Sequence, residues 1–343
     1  MVTPTRKPLV DVVIPLYRPG PWLAPCVDSV LASRDAHPVI WLVDDNPESD
    51  LADLVTRRWK SVNYLPAIKN VGFAASCNRG IQAGRTQYVL MLNQDARIEP
   101  DYVTRLVGLL DSDPGLAAAG GVLYHQENPA TPPGGTIDTA GFEFRRGRRP
   151  VDIGQGDRDT GQYEGVREVF GVNAAAALYR REALEAVADS HGVFDERFFM
   201  HKEDIDLAWR LRRAGFRAAI DGAARGYHAR GVHRAPDVAG RTPAALVRRF
   251  AGLLSQERAK SPSLRRLAWR NQVLMLIKNE RADDLQRSAL AISTHLVAQT
   301  LVSFVLSPIS TLFGRLAVLR ALPGALNERR HQTGAARLHD WLP

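Results

Sequence analysis

Cysteine is scarce in this 343-residue chain: Cys26 and Cys77 are the only two. Two thiols cannot build a disulfide framework or a zinc cluster, and such low usage fits a reducing cytosol. Met1 to Pro8 lacks the apolar core of a signal peptide and runs straight into a strand-like segment. There is no GxGxxG fingerprint and no internal repeat, so neither a dinucleotide cradle nor a solenoid is indicated. Charge is absent from one long stretch: Ser288 to Gly314 contains no Asp, Glu, Lys or Arg.

What is present is ordinary for a globular enzyme. Hydrophobic residues make up 45% and charged residues 24%, enough for one large α/β domain with an extension or for two small domains, and against wholesale disorder. The net charge of +8 is uneven. Residues 241–343 carry 16 Lys and Arg against 6 Asp and Glu, leaving 29 against 31 in the remainder. The basicity therefore belongs to the C-terminal third and gives no reason to expect a nucleic-acid partner.

Apolar runs and helical patterns alternate through the first third. Strands are expected at Leu9 to Leu16, Val39 to Val43, Val62 to Leu65, Tyr88 to Leu92 and Leu116 to Leu123. Helices are expected at Trp22 to Ser33, Asp50 to Trp59, Ala74 to Ala83 and Glu99 to Leu110. This alternation predicts a mostly parallel sheet flanked by helices. From Tyr124 to about Gly165 the pattern dissolves into a loop-like region with a basic run, Arg145 to Arg149. Order returns at Val169 to Tyr179, a helix follows from Arg181 to Val187, and Glu203 to Ala214 reads as an amphipathic helix in which Asp206 can pair with Arg210. After about Pro236 the chain reads as all-helical. Three parts are expected: 1–125 and 126–235 as the two halves of one α/β domain, and 236–343 as a basic helical extension.

Open parallel sheets bind ligands beyond the carboxyl ends of their strands. Polar residues gather at those ends here: Pro15-Leu16-Tyr17, Asp44-Asp45 and Asn93-Gln94-Asp95. A carboxylate there can accept a base N–H or ligate a hard cation that neutralises a diphosphate. Each taken alone is also a common turn or cap residue. Glu203 and Asp204 open a helix, where acids are frequent, but the aromatic run Phe198-Phe199-Met200-His201 beside them suits stacking on a sugar. The small residues Gly171 to Ala177 leave room for an acceptor or simply allow close packing.

Four segments, in order, resemble glycosyltransferase family 2, inverting transferases of the GT-A (Rossmann-like) fold. They are VDVVIPLYRPGPWLAPCVDSVLAS, WLVDDNPESD, NVGFAASCNRGIQAGRTQYVLMLNQDA and FDERFFMHKEDIDLAWRLRRAGF. The likeness runs from about Val10 to Gly231. It implies that Pro15, Tyr17, Asp44, Asp45, Asn70, Gly72, Asn78, Arg79 and Asn93 line a nucleotide site. It implies that Asp95 and His228 hold a divalent cation, Mg²⁺ or Mn²⁺, with His233 a nearby rival. Asn93 stands where the family's metal motif has its first Asp. Asp204 matches the family's catalytic base, and Glu203, Phe199 and Asn173 would meet the acceptor. A helix N-terminus is expected to favour the ionised form of Asp204.

The resemblance further implies a nucleotide-diphosphate sugar donor, best matched by dTDP-L-rhamnose. The acceptor would be a glycan or a polyprenyl-diphosphate-linked saccharide in cell-envelope polysaccharide synthesis. The uncharged stretch 288–314 is long enough to span a bilayer, but Ser293, Thr294, His295, Gln299 and Pro308 interrupt it. An interfacial helix or helical hairpin is expected instead, making the protein cytoplasmic and peripheral at the inner face of the cell membrane. A homodimer interface is the competing use of these helices. Two other functions compete: a sugar nucleotidyltransferase, whose Gly-rich phosphate loop is missing at Tyr17 to Pro21, and an inactive sugar-nucleotide-binding scaffold, suggested by Asn93.

Overall fold

A computed structural model describes residues 9–131, 134–229 and 260–331, with positions 254, 255 and 258. It divides into two compact units, whose described residues fall within 1–143 with 152–231, and 144–151 with 232–343.

The first unit is a mixed α/β structure on a ten-stranded sheet. Its elements are β1 (Leu9–Leu16), α1 (Leu23–Leu31), β2 (His37–Asp44), α2 (Leu51–Arg58), β3 (Asn63–Leu65), α3 (Phe73–Ala83), β4 (Tyr88–Leu92), β5 (Ala96–Ile98), α4 (Tyr102–Ser112) and β6 (Leu116–His125). There follow β7 (Ile137–Thr139), then β8 (Phe142–Phe144) and β9 (Pro150–Asp152), which form a separate two-stranded sheet and fall partly in the second unit, then β10 (Val166–Val169), β11 (Ala176–Arg180), α5 (Arg181–Val187), α6 (Glu203–Arg213) and β12 (Arg217–His228). The order across the sheet is β10-β12-β6-β11-β4-β1-β2-β3, with β5 on β12 and β7 on β6.

The pairs β1–β2, β1–β4 and β2–β3 are parallel, as the alternating pattern predicts. Beyond β4 the sheet becomes mixed. β11 enters between β4 and β6 and runs antiparallel to both, because it arrives after a long excursion and not by a helical crossover. Strand residues alternate between two cores: Val10, Val12, Ile14 and Leu90 face one, Val13, Val89 and Met91 the other. A strand covered on both faces reads as a continuous apolar run, which is why β1 and β4 are legible in the sequence. Asp11 sits inside β1 yet is satisfied by Arg181, by Thr86 and by the Trp41 indole, as a buried charge requires.

Two expectations need correction. The region 124–165 contains short strands: β7 is held by β6, as when Leu123 pairs with Thr139, while β8 and β9 pair with each other in a two-stranded sheet. The 217–228 segment, unassigned in the sequence reading, is the long strand β12. Its Ala and Gly content hides it, and a bulge between Asp221 and Arg225 breaks its alternation.

In the second unit three helices follow one another: α7 (Pro262–Asn279), α8 (Ala282–Leu306) and α9 (Pro308–His331). Arg148, from the basic run expected on a surface loop, is fully buried there in a fork-to-fork pair with Glu280 at 2.6 and 2.9 Å. A guanidinium removed from water needs such a two-point partner.

Candidate functional site

The parallel register aligns Leu16 with Asp44, so β1 and β2 end at one edge, and β4 ends beside them. At that edge lies a cavity of about 420 Å³, within the usual range of small-molecule clefts. Of the residues predicted for the site, Pro15, Tyr17, Asp45, Asn70, Gly72, Asn93, Asp95 and Phe199 line it. Asp44, Asn78, Arg79, Asn173, Glu203, Asp204 and His228 are not in its lining.

Hydrogen bonding explains several of these placements. Asp44 is buried, accepting from the Tyr64 hydroxyl at 2.7 Å and from the Asn46 N–H at 2.9 Å. Asp45 accepts from the N–H groups of Val71 and Gly72, at 2.7 and 2.8 Å. It therefore anchors the turn before α3, while each oxygen keeps a second lone pair toward the cavity. Asn78 is buried and exchanges hydrogen bonds with the backbone of Phe194. Arg79 donates to the carbonyls of Asp44 and Pro66.

Gly72 has φ +89° and ψ 166°, a region open in practice only to glycine. A Cβ there would lie 2.4 Å from the Phe199 ring. The ring belongs to a turn in which Phe199, His201 and Lys202 all have positive φ, and Phe199 O accepts from the Ala74 N–H. Such clustered outliers persist only where surrounding contacts hold them.

At the end of β4, Asp95 lies 3.4 Å from Nε2 of His228, the last residue of β12. The buried Asp138 carboxylate holds Nδ1 of the same ring at 2.9 Å. Burial alone would lower the His228 pKa, but Asp138 and Asp95 outweigh it and push it up to about 9. Burial also works against ionised Asp95, yet His228 keeps it below the ordinary carboxylate value. Asn93 Nδ2 sits 3.3 Å from Nε2 of His228, while its Oδ1 is buried without a partner. Once Nε2 of His228 gives up its proton, a carboxylate, an imidazole and an unsatisfied amide oxygen form a donor set suited to a hard divalent ion completed by diphosphate oxygens. His233 lies outside the described residues.

Sequence reasoning missed Ser76. It lines the cavity from the first turn of α3, fully buried, and its Oγ has no partner among the described residues. Gln94, quoted only as a neighbour of Asp95, clamps the Tyr17 backbone through both its N–H and its carbonyl. An amide two residues beyond β4 gives no signal of a bond reaching back to residue 17.

Asp204 and Glu203 open α6. Asp204 accepts from the N–H groups of Ile205 at 2.8 Å and Ala174 at 3.5 Å. The 173–175 segment continues to the cavity edge, where Ala175 O accepts from the Asn93 N–H. Asn173 itself donates to Asp152. The expected effect of the helix N-terminus on Asp204 is reversed. Its backbone donors do favour the charged form, but crowding by protein atoms, then Asp152, raises the pKa above the usual carboxylate range. Gly171 and its alanines are close-packed: a Cβ on Gly171 would meet Phe142 at 2.4 Å and Ala208 at 2.6 Å.

Glu203 is buried with Oε2 unpartnered. Burial first, then Asp204, pushes its pKa from 4.5 up to about 8. An acid that holds its proton more tightly when folded stabilises the fold most at low pH, and stability falls as pH rises from 4.5 towards 8. Glu203→Gln stays neutral and is expected to flatten that decline. Melting temperature measured across this pH range checks it; an equally steep decline in the variant would assign the dependence to another group.

Comparison with known proteins fits this arrangement. The description "Glycosyl transferase family 2" matches residues 11–188, just over half of the chain and ending before Glu203. An N-acetylglucosaminyl-diphospho-decaprenol L-rhamnosyltransferase of Mycobacterium tuberculosis is 27% identical over 258 residues, covering 69% of this chain and 80% of that one. The O-antigen biosynthesis protein RfbC of Myxococcus xanthus is 29% identical over 246 residues, 67% of this chain but 18% of that protein. Among solved structures, GalNAc-T7 with UDP, GalNAc and Mn²⁺ matches the fold with a TM-score of 0.57 at 14% identity. That match covers 80% of this chain and 48% of that one.

Proposed function

Because the chain belongs to glycosyl transferase family 2, we propose that it is an inverting transferase moving a sugar from a nucleotide diphosphate to a hydroxyl of a glycan or lipid-linked saccharide. The observation that carries this reading is the edge of the 420 Å³ cavity. There Asp95 and the unsatisfied Oδ1 of Asn93 stand with His228, and residues 173–175 connect Asn93 to Asp204.

The nucleotide occupies the cavity, with Tyr17, 45% exposed at its rim, stacking on the base. Asp45, Asn70 and Ser76 supply polar contacts. Asp95, His228 and Asn93 would hold a divalent ion, which when bound would neutralise charge on the departing diphosphate. Asp204 takes the proton of the acceptor hydroxyl. The hydroxyl oxygen bonds to the anomeric carbon from the face opposite the leaving group, and the carbon–oxygen bond to the nucleoside diphosphate breaks. The raised pKa of Asp204 makes it a stronger base than an ordinary carboxylate. Phe199, Glu203 and Asn173 border the acceptor.

The donor is dTDP-L-rhamnose on this reading, and the acceptor a polyprenyl-diphosphate-linked saccharide. The name of the mycobacterial relative supports both. α8 and, in α9, residues 308–327 are each long and apolar enough to cross a membrane. In the second unit they leave Leu290, Val305 and Ile309 at least 70% exposed. Arg315 and Arg320 lie within α9, however, and a cation near a bilayer centre costs at least about 2.5 kcal/mol. On this reading α9 therefore lies along the surface of the inner leaflet, apolar side down.

A thermal-shift panel of UDP-, GDP- and dTDP-sugars with Mn²⁺ or Mg²⁺ tests the donor, since a ligand bound only by the folded state raises its melting temperature. The largest rise is expected with dTDP-L-rhamnose and metal together. In Asp95→Ala the metal-dependent part of that rise should vanish; its persistence would move the metal to other residues.

A further inference from the structure

A second cavity lies in the helical unit, between α7 and α9, with a volume of about 300 Å³. Gly314 permits the close approach of these helices, since a Cβ there would lie 3.3 Å from Cγ of Arg266. One wall is charged, formed by Arg266 and Arg270 of α7 and Arg320 of α9. The other is apolar, formed chiefly by Phe313 and Leu316. No acidic residue lines it, and Arg266 and Arg320 make no ion pair among the described residues. All three arginines line this one groove; Nε of Arg270 already donates to Asn271 Oδ1 at 3.0 Å, while the guanidinium groups of Arg266 and Arg320 can engage the oxygens of a phosphate in fork geometry.

The apolar wall decides which phosphate. Phe313 and Leu316 are 53% and 42% exposed. They continue a stripe through Ile309, Leu312 and Leu319, all exposed and spaced as one helical face. A free phosphate would leave that stripe in water, whereas a lipid places its headgroup among the arginines and its chains along the stripe. We infer that the α7–α9 groove binds the phosphodiester of an anionic membrane phospholipid. The inference rests on the membrane-surface reading above and adds a defined headgroup site to it.

The test is co-sedimentation of the full chain with vesicles of phosphatidylcholine alone or mixed with phosphatidylglycerol. The wild-type protein should prefer the anionic vesicles. Arg266→Gln with Arg320→Gln should lose roughly fivefold in binding for each arginine. Arg258→Gln with Arg287→Gln removes the same charge from exposed positions outside the groove and should lose much less. Equal losses in the two pairs would reduce the effect to diffuse attraction and overturn the site. So would a thermal shift by inorganic phosphate that disappears in the groove variant while vesicle binding is unchanged. A retained donor-induced thermal shift shows that the groove variant is folded. If the wild type binds no vesicles, the membrane reading itself fails; if it binds and the groove variant binds equally, only the headgroup site fails.

Discussion

Asp204→Asn is expected to lower the rate of sugar transfer by roughly 10²–10⁴-fold while leaving donor binding intact. The substitution keeps the shape of the side chain and an oxygen that can accept from Ile205 or Ala174. It removes the ability to take a proton. Asp204 is outside the lining of the nucleotide cavity, so nucleotide affinity has no reason to move. The loss should therefore fall on kcat and spare the donor KM. Burial and Asp152 both raise the pKa of Asp204, so removing the Asp152 charge should shift the acid limb of the pH–rate profile downward. Steady-state kinetics with isothermal titration of the nucleotide measures both quantities. Unchanged turnover in Asp204→Asn would remove it as the base.

Gly72→Ala should damage both stability and donor binding. The conformation at φ +89° and ψ 166° costs a residue with a side chain on the order of 1–3 kcal/mol. The added methyl would also lie 2.4 Å from the Phe199 ring and 2.7 Å from its carbonyl oxygen, and overpacking of this kind costs about 1–3 kcal/mol more. The turn cannot shift freely, because Asp45 holds the N–H groups of residues 71 and 72. Relief must come from displacing Phe199, which lines the cavity. A lower melting temperature and a weaker nucleotide-induced shift are expected together. A variant with wild-type values for both would show that the turn is pliable.

The sequence is most legible where one physical signal dominates. β1 and β4 begin and end where their apolar runs and flanking residues say they do, because continuous burial leaves a continuous pattern. Cavity residues at strand ends, such as Asp45 and Asn93, stand out for the same reason: a polar residue directly after an apolar run is conspicuous. Ser76 is invisible by that criterion, since a serine in the first turn of a helix is common and only its orphaned Oγ marks it. The pKa direction of Asp204 was unreadable because it depends first on burial by the folded chain and then on Asp152, 52 positions away. The three-residue strand β7 likewise owes its existence to β6, more than ten positions away.

The bulge in β12 bears on how this protein tolerates changes in length. On β6, Gly121 and Val122 are adjacent, yet they face Asp221 and Arg225 of β12. Three residues, 222–224, are thus looped out between two paired stretches, and His228 is placed by the second stretch alone. A residue gained or lost before Arg225 leaves the pairing of the second stretch to be set by its own partners, and so leaves His228 facing Asp95. The same change between Arg225 and His228 would turn the imidazole to the opposite face of the sheet. Heritable insertions and deletions should therefore collect on the earlier side, with the span from 225 to 228 fixed in length.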